Sequence, residues 1–172
     1  IGWDLCLERE WLPGHRIGLT WFANSIEDRI RSFPAPPVNR PGTTPTAGVE
    51  ASLDGSWCAG EWTYRLAWTY LDRSLADQPR NSGSASIDWR PSDKWLIGAG
   101  VFHVDERSWG GLPLDEAWVA RIYGEYRISK GVRLTTRIEN ATDTSWQYSR
   151  FPFSSPVNAP GFGIFSGIKI DW

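Results

Sequence analysis

VRLTTRIE, residues 132–139, splits cleanly by parity. Val132, Leu134, Thr136 and Ile138 fall on one side of an extended chain, and Arg133, Thr135, Arg137 and Glu139 on the other. Successive side chains of a strand point to opposite faces, so this octet reads as a strand with one apolar and one charged face. The same division spreads outward from it. In residues 161–172, Phe162, Ile164, Ile168, Ile170 and Trp172 oppose Lys169 and Asp171. In residues 118–128 the polar parity holds Arg121, Glu125 and Arg127, and in 48–57 Glu50 and Asp54 oppose Val49, Ala51, Leu53 and Trp57. No stretch of helical length sustains an i, i+3, i+4, i+7 stripe, so the chain reads as all-β, with charges expected on one face throughout.

The alternation marks out about nine strands of roughly ten residues, longer than the usual soluble strand and long enough to cross a bilayer at a tilt. They are expected near residues 1–10, 16–30, 46–57, 61–72, 82–90, 95–106, 116–128, 132–141 and 161–172. Short links, LPGH (12–15), CAGE (58–61), RPSD (90–93) and SKG (129–131), alternate with long ones at 33–45, 72–81, 107–115 and 142–160. An up-and-down meander with short turns at one end and long loops at the other is the pattern of a transmembrane antiparallel β-barrel, with periplasmic turns and extracellular loops. Such a barrel carries aromatic girdles at both interfaces. Trp57, Trp62, Trp89, Trp95 and Trp172 fall toward the short turns, where a membrane-interface girdle is expected, while Trp21, Trp68, Tyr70 and Trp118 fall toward the long loops.

Composition narrows the function classes. The 172 residues are 41% hydrophobic and 22% charged, enough apolar material for an ordered structure, and a net charge of -2 offers no basic footprint for nucleic acid. The longest uncharged stretch, 151–168, contains three prolines and cannot form a spanning helix. Twelve Trp are several times the usual share, and the absence of Met points to a processed or clipped piece of a longer product, with any export signal removed or not included. Cys6 and Cys58 stand far apart and read as isolated residues, with a disulfide as the alternative, and neither has metal-ligand spacing. His15 and His103 also stand alone, outside any nucleophile, Walker or H-E-x-x-H motif, so neither an enzyme nor a metal or cofactor site is expected.

Six stretches in order then resemble one family. They are GVEAS (48–52), AWTYLD (67–72), PRNSGSASIDWRP (79–91), IGAGVFHVDER (97–107), IENATD (138–143) and PGFGIFSGIKIDW (160–172). The series resembles the carboxyl-terminal part of the barrel of TonB-dependent outer-membrane receptors, particularly the siderophore and vitamin B12 group. The resemblance implies that residues 1–172 are the last portion of a barrel of about 22 strands around a plugged lumen, with the plug domain and earlier strands outside this chain. It implies a place in the bacterial outer membrane and uptake of a scarce large ligand: an iron-siderophore, haem or cobalamin. The partners it implies are outer-membrane lipid, the plug and remaining strands, and the TonB energy-coupling complex.

On this reading Arg121, Glu125, Arg127, Arg133, Arg137 and Glu139 face the lumen and the plug, or form a solvated ion-pair lattice there. Trp109, Trp146, Tyr148 and Arg150, in the long loops, combine flat aromatic surface with a cation and are the candidates for capturing a bulky ligand. Two other architectures fit the same periodicity. One is a self-contained eight-stranded outer-membrane barrel with its first strand folded aside and a structural or adhesive role. The other is a soluble ligand-binding β-barrel.

Overall fold

A computed structural model of the chain describes residues 1–31, 37–73, 78–109, 112–150 and 156–171, and for Arg31, Arg73, Trp109, Ser149, Arg150 and Pro156 the backbone only. In chain order its strands are β1 (Gly2–Leu12), β2 (His15–Glu27), β3 (Ile30–Arg31), β4 (Val38–Asn39) and β5 (Thr43–Trp57). They continue as β6 (Trp62–Arg73), β7 (Asn81–Ser92), β8 (Trp95–Val104), β9 (Arg107–Trp109) and β10 (Leu112–Leu114). The last five are β11 (Ala117–Ser129), β12 (Val132–Glu139), β13 (Gln147–Arg150), β14 (Pro156–Asn158) and β15 (Gly163–Ile170).

Nine of these form one antiparallel up-and-down sheet in the order β1-β2-β5-β6-β7-β8-β11-β12-β15. They are the nine strands the alternation predicts, displaced by a few residues at their ends. The remaining six pair as three short hairpins, β3 with β4, β9 with β10 and β13 with β14. The β9–β10 and β13–β14 hairpins lie inside segments that the sequence presents only as loops, whereas β3 takes in Ile30, expected as the end of the second long strand. The sheet is open: β1 pairs with β2 alone and β15 with β12 alone. A closed eight-stranded barrel with the first strand set aside is therefore not formed, because β1 pairs with β2 from Gly2↔Asn24 to Leu12↔His15.

Local chemistry places the turns. LPGH presents Pro13, whose ring presets φ for the first central position of a turn, followed by Gly14 at φ 76, the left-handed geometry that the second position of a type II turn requires. The Gly14 amide donates to Glu10 Oε1 at 2.8 Å. CAGE is a longer link, four residues between the paired Trp57 and Trp62, in which Cys58, Ala59 and Gly60 take the left-handed φ values 51, 53 and 91.

Register carries the parity from strand to strand. Leu19, Ala51 and Trp68 are aligned across β2, β5 and β6, and Ile122, Ile138 and Ile164 across β11, β12 and β15. One face is thus apolar across the sheet, and the other carries Glu50, Asp54, Arg65, Asp88, Arg121, Glu125, Arg133 and Arg137. The expected charge segregation has exceptions: Glu27 falls on the apolar parity at the loop end of β2, and Arg9 pairs with Ile17 on the apolar face, between Leu7 and Trp11. Its place close to the LPGH turn explains why it is tolerated, since a long side chain there can lay its stem on apolar surface and carry its charge to the sheet's end.

Aromatic side chains gather at both ends of the apolar face. At the turn end Trp57 stacks on Tyr64 (4.5 Å between centroids), Trp62 on Trp89 (5.3 Å), and Trp95 meets Tyr126 (4.5 Å). His15 lies among Trp11, Trp57 and Tyr64, and its Nδ1 is 2.9 Å from the Tyr64 hydroxyl. At the loop end His103 lies between Trp68 (5.3 Å) and Trp118 (4.1 Å). Each histidine that stands alone in the sequence is enclosed by rings from neighbouring strands. Trp172 lies outside the described residues.

Candidate functional site: the loop cluster and the polar face

At the loop end of the polar face the chain builds its one tightly buried apolar group among the described residues. Leu114 is 1% exposed, and Ala117 and Val119 are buried with it. Phe102, on the polar parity of β8, meets the Trp146 ring edge-on at 5.3 Å, and Trp146 meets Tyr148 at 4.5 Å. The loop between β8 and β11 and the loop between β12 and β15 are thus folded against each other over this end of the sheet.

Arg107 ties the two loops together. Its Nη2 donates to the backbone carbonyls of Gln147 and Tyr148, both at 3.1 Å, while Nη1 is buried and has no partner. Burial pushes the pKa of its guanidinium down from the ordinary arginine value. The expected ligand-capture residues Trp146 and Tyr148 are therefore brought together, whereas the side chains of Trp109 and Arg150 lie outside the described residues. Arg107 was missing from the expected set. Its acceptors are main-chain carbonyls forty residues away, which no side-chain pattern can signal.

The base of the β12–β15 loop is organised by Asn140, in the IENATD motif. Asn140 is buried and takes φ 48, a left-handed conformation that Asn tolerates better than most residues. Its Nδ2 donates to the Thr144 and Pro160 carbonyls at 2.9 and 3.2 Å, and its Oδ1 accepts from the Thr144 amide at 2.9 Å. Asp143 Oδ1 accepts from the Phe162 amide at 2.9 Å, so both ends of the loop are fastened to one another.

A second polar knot closes the β7 and β8 ends. Asp105 Oδ2 accepts from the Asn81 amide (2.9 Å) and Nδ2 (2.7 Å), and Oδ1 lies 3.1 Å from His103 Nε2. Burial raises the carboxyl's pKa, but the bonds from the Asn81 side chain, His103 and the Asn81 backbone outweigh it and hold it below the usual 3.8. A carboxylate with a lowered folded-state pKa stabilises the fold above its unfolded value and loses that contribution as pH falls through the folded one. We therefore expect Asp105's contribution to stability against denaturant to be present at neutral pH and to be lost only below about pH 4. Asp105→Asn should remove that step, and an unchanged acid transition in the variant would show that the carboxylate does not control it.

On the polar face all six expected wall residues point the same way. Arg133 bridges Glu125 (3.2 Å) and Asp171 (2.5 Å), Arg137 lies 3.5 Å from Glu139 and over the Phe165 ring, and Arg121 lies over Tyr123. Arg127 pairs in register with Arg133 and has no carboxylate within 4.0 Å among the described residues. Neighbouring Tyr123 covers Gly98 so closely that a Cβ there would come within 2.3 Å of the ring, and its hydroxyl donates to Asp88 at 2.5 Å. The charges on this face are of both signs, partly exposed and partly cross-linked between strands. Cys6 and Cys58 are both free and exposed. Among the described residues no group of three or more His, Cys, Asp and Glu is placed to hold a metal ion.

The family model for TonB-dependent receptor-like β-barrels matches residues 1–141. No curated protein matches the chain. Among solved structures it resembles the siderophore receptor PiuA from Acinetobacter baumannii, with TM-score 0.81 and 15% identity over 98% of this chain and 28% of that one. It resembles the ferric-catecholate import receptor Fiu from E. coli K12, with TM-score 0.81 and 14% identity over 98% of this chain and 27% of that one. A variant of the ferric enterobactin receptor PfeA from Pseudomonas aeruginosa matches with TM-score 0.80 and 18% identity over 98% of this chain and 30% of that one. At these identities the likeness is one of fold, and the chain spans less than a third of each receptor.

Proposed function

Because the chain belongs to the TonB-dependent receptor β-barrel family of the bacterial outer membrane, we propose that it is the carboxyl-terminal portion of a receptor for energised uptake of a scarce, large chelate. The apolar face of the sheet meets lipid and the polar face lines the lumen, as in any membrane barrel with a hydrated interior. An iron-siderophore is the ligand class favoured, with haem or cobalamin as the alternatives. The two unpaired edges, β1 and β15, are left for further strands, since lipid cannot satisfy their backbone groups. The plug domain, the earlier strands and the segment that engages TonB belong to parts of the receptor outside this chain.

The observation that carries this reading is the joining of two external loops over the lumen by Arg107, with Trp146 and Tyr148 beside it. Flat rings next to cationic side chains suit a bulky anionic chelate, and Trp109 and Arg150 on the adjoining hairpin strands would extend that surface. Arg121, Glu125, Arg127, Arg133, Arg137 and Glu139 would form the wall that the plug rests against. Trp57, Trp62, Trp89 and Trp95 would set the strands at the periplasmic interface, and Trp172 would continue that girdle.

The test is uptake by cells carrying the full-length receptor under iron limitation, with ferric catecholate siderophore, haem and cyanocobalamin supplied separately. One of the three should sustain uptake. Trp146→Ala and Arg107→Ala should each weaken the apparent affinity for it about tenfold, a change of roughly 1.4 kcal/mol, at normal receptor abundance. Uptake of none of the three, or full affinity in both variants, would refute the loop cluster as a capture site.

A further inference from the structure

Charge on the polar face is shared unevenly along the strand order of the sheet. Strands β1 and β5 bring Asp4, Glu8, Glu10, Glu50 and Asp54 to that face, whereas β11 and β12 bring Arg121, Arg127, Arg133 and Arg137 against Glu125 and Glu139. The nearer acidic strand, β5, is four strands from β11, on the order of 19 Å along a sheet whose strands are about 4.8 Å apart. Electrostatic interactions between exposed charges fade over about 8 Å in physiological salt, so the acidic strands leave the basic ones uncompensated.

At the turn end the imbalance gathers in one cleft. A cavity of about 640 Å³ lies between the CAGE and RPSD links and the turn ends of β11 and β12, and its charged lining is Arg90, Lys94, Arg127 and Arg133 with Glu61, Asp93 and Glu125. Part of that charge is already engaged. Arg133 bridges Glu125 and Asp171, and Glu61 accepts from Trp89 Nε1 at 2.8 Å. Arg90, Lys94 and Arg127 make no ion pair among the described residues, and Asp93 alone remains to set against them, which leaves two positive charges in excess. Arg90 reaches only the Thr63 hydroxyl, at 3.4 Å. The Arg127 amide donates to the Lys94 carbonyl at 2.8 Å, which brings the two open cations side by side. Across the sheet Arg127 faces Arg133, so the position from which a strand pair supplies a compensating charge is itself held by a cation.

We infer that this cleft seats an acidic segment of the plug, two carboxylates of which pair with Lys94 and Arg127 at the periplasmic mouth of the lumen. The inference rests on the proposed placement of the plug inside the barrel and adds the chemistry of one contact to it. Position argues for the plug, because Arg90, Glu125, Arg127 and Arg133 line the cleft from the polar face, the side given to the lumen. Charge sets the kind of segment: an ammonium and a guanidinium without partners each take a carboxylate in a charge-assisted hydrogen bond, and two such groups cancel the excess. Size favours a polypeptide. A cavity of about 150 Å³ holds benzene, so one of about 640 Å³ takes several side chains and is far larger than a single small anion requires.

The test is zero-length coupling of the full-length receptor with a water-soluble carbodiimide, which joins an amine to a carboxylate in contact with it, followed by peptide mass spectrometry. Lys94 should be found coupled to an Asp or Glu of the plug, and Lys94→Arg, which keeps the charge and removes the amine, should lose that product. In Lys94→Glu with Arg127→Glu, hydrogen exchange of the coupled plug segment should accelerate about tenfold, the effect of turning two half-exposed ion pairs into repulsions. Heat-modifiable mobility on gels confirms that each variant has folded. Should the double variant fail to fold, Lys94→Glu, at an exposed turn, decides with the coupling result. Uptake by wild type tests the receptor reading by itself. In a receptor that does take up ligand, coupling of Lys94 only to barrel carboxylates or to a separate protein, or wild-type exchange of the plug in the folded charge-reversed variant, would overturn the inference.

Discussion

Ile122→Arg is expected to destabilise the barrel by about 2–4 kcal/mol, the cost of a cationic side chain at the lipid midplane of a β-barrel. Its depth follows from the strand itself. On β11 Trp118 belongs to the outer aromatic cluster and Tyr126 to the inner one, and Ile122 lies midway between them on the same face. Its direct partners are Ala99 and Ile138, so no polar neighbour in either adjoining strand can take up the charge. Ile138→Arg should behave in the same way on β12. The control is Arg121→Leu, one residue away on the lumen face, where the guanidinium lies over Tyr123 at 5.5 Å and makes no ion pair among the described residues. That change should cost less than about 1 kcal/mol. Denaturant titration of the full-length protein folded into lipid vesicles ranks the two, and the reverse ranking would mean that the two faces of the sheet have been exchanged.

Asn140→Ala should be the most damaging single change in the loops, costing about 3 kcal/mol of local order. The substitution removes a side chain that makes three hydrogen bonds from a buried position and leaves the Thr144 amide and the Pro160 carbonyl without it. Each buried polar group left unmatched costs about 1–3 kcal/mol. Alanine must also hold φ 48, where a side chain with a Cβ costs about 1–2 kcal/mol. Asn140→Gly separates the contributions, because glycine relieves the backbone term and restores none of the bonds. Hydrogen exchange at residues 141–146 should accelerate strongly in the alanine variant and slightly less in the glycine variant. Protection equal to wild type in both would show that the loop is held by Arg107 and the aromatic contacts alone.

How much of this was readable in advance depends on the range of the interaction. Strand parity was legible because it is set residue by residue: Val132 to Glu139 needs no partner to show which side chains will share a face, and Arg133, Arg137 and Glu139 do share one in the sheet. Trp57, Trp62, Trp89 and Trp95 followed from the same parity and from their distance to the short turns. Parity did not anticipate Arg9 on the apolar face, because its permission comes from depth, and depth depends on where the whole sheet begins and ends. Trp146 and Tyr148 were chosen for their chemistry, and their meeting over Phe102 depends on a loop folding back onto a strand more than forty residues earlier.

The amino-acid sequence by itself determined that this protein is a meander of long antiparallel strands with one greasy and one charged face, short turns at one end and long loops at the other. A period of two, Pro and Gly at the turns and the spacing of the tryptophans are all local, and neighbouring strands joined by tight turns have only one partner to find. Only the tertiary structure decided that the nine strands stay open at both edges and that the long loops carry hairpins of their own. It also decided that Arg107 joins two loops through main-chain carbonyls, and that one histidine is satisfied while the other keeps a buried nitrogen free. Those outcomes depend on which distant groups come within about 3 Å of one another, and hydrogen bonds to backbone carbonyls and stacks between strands leave no periodic mark along the chain.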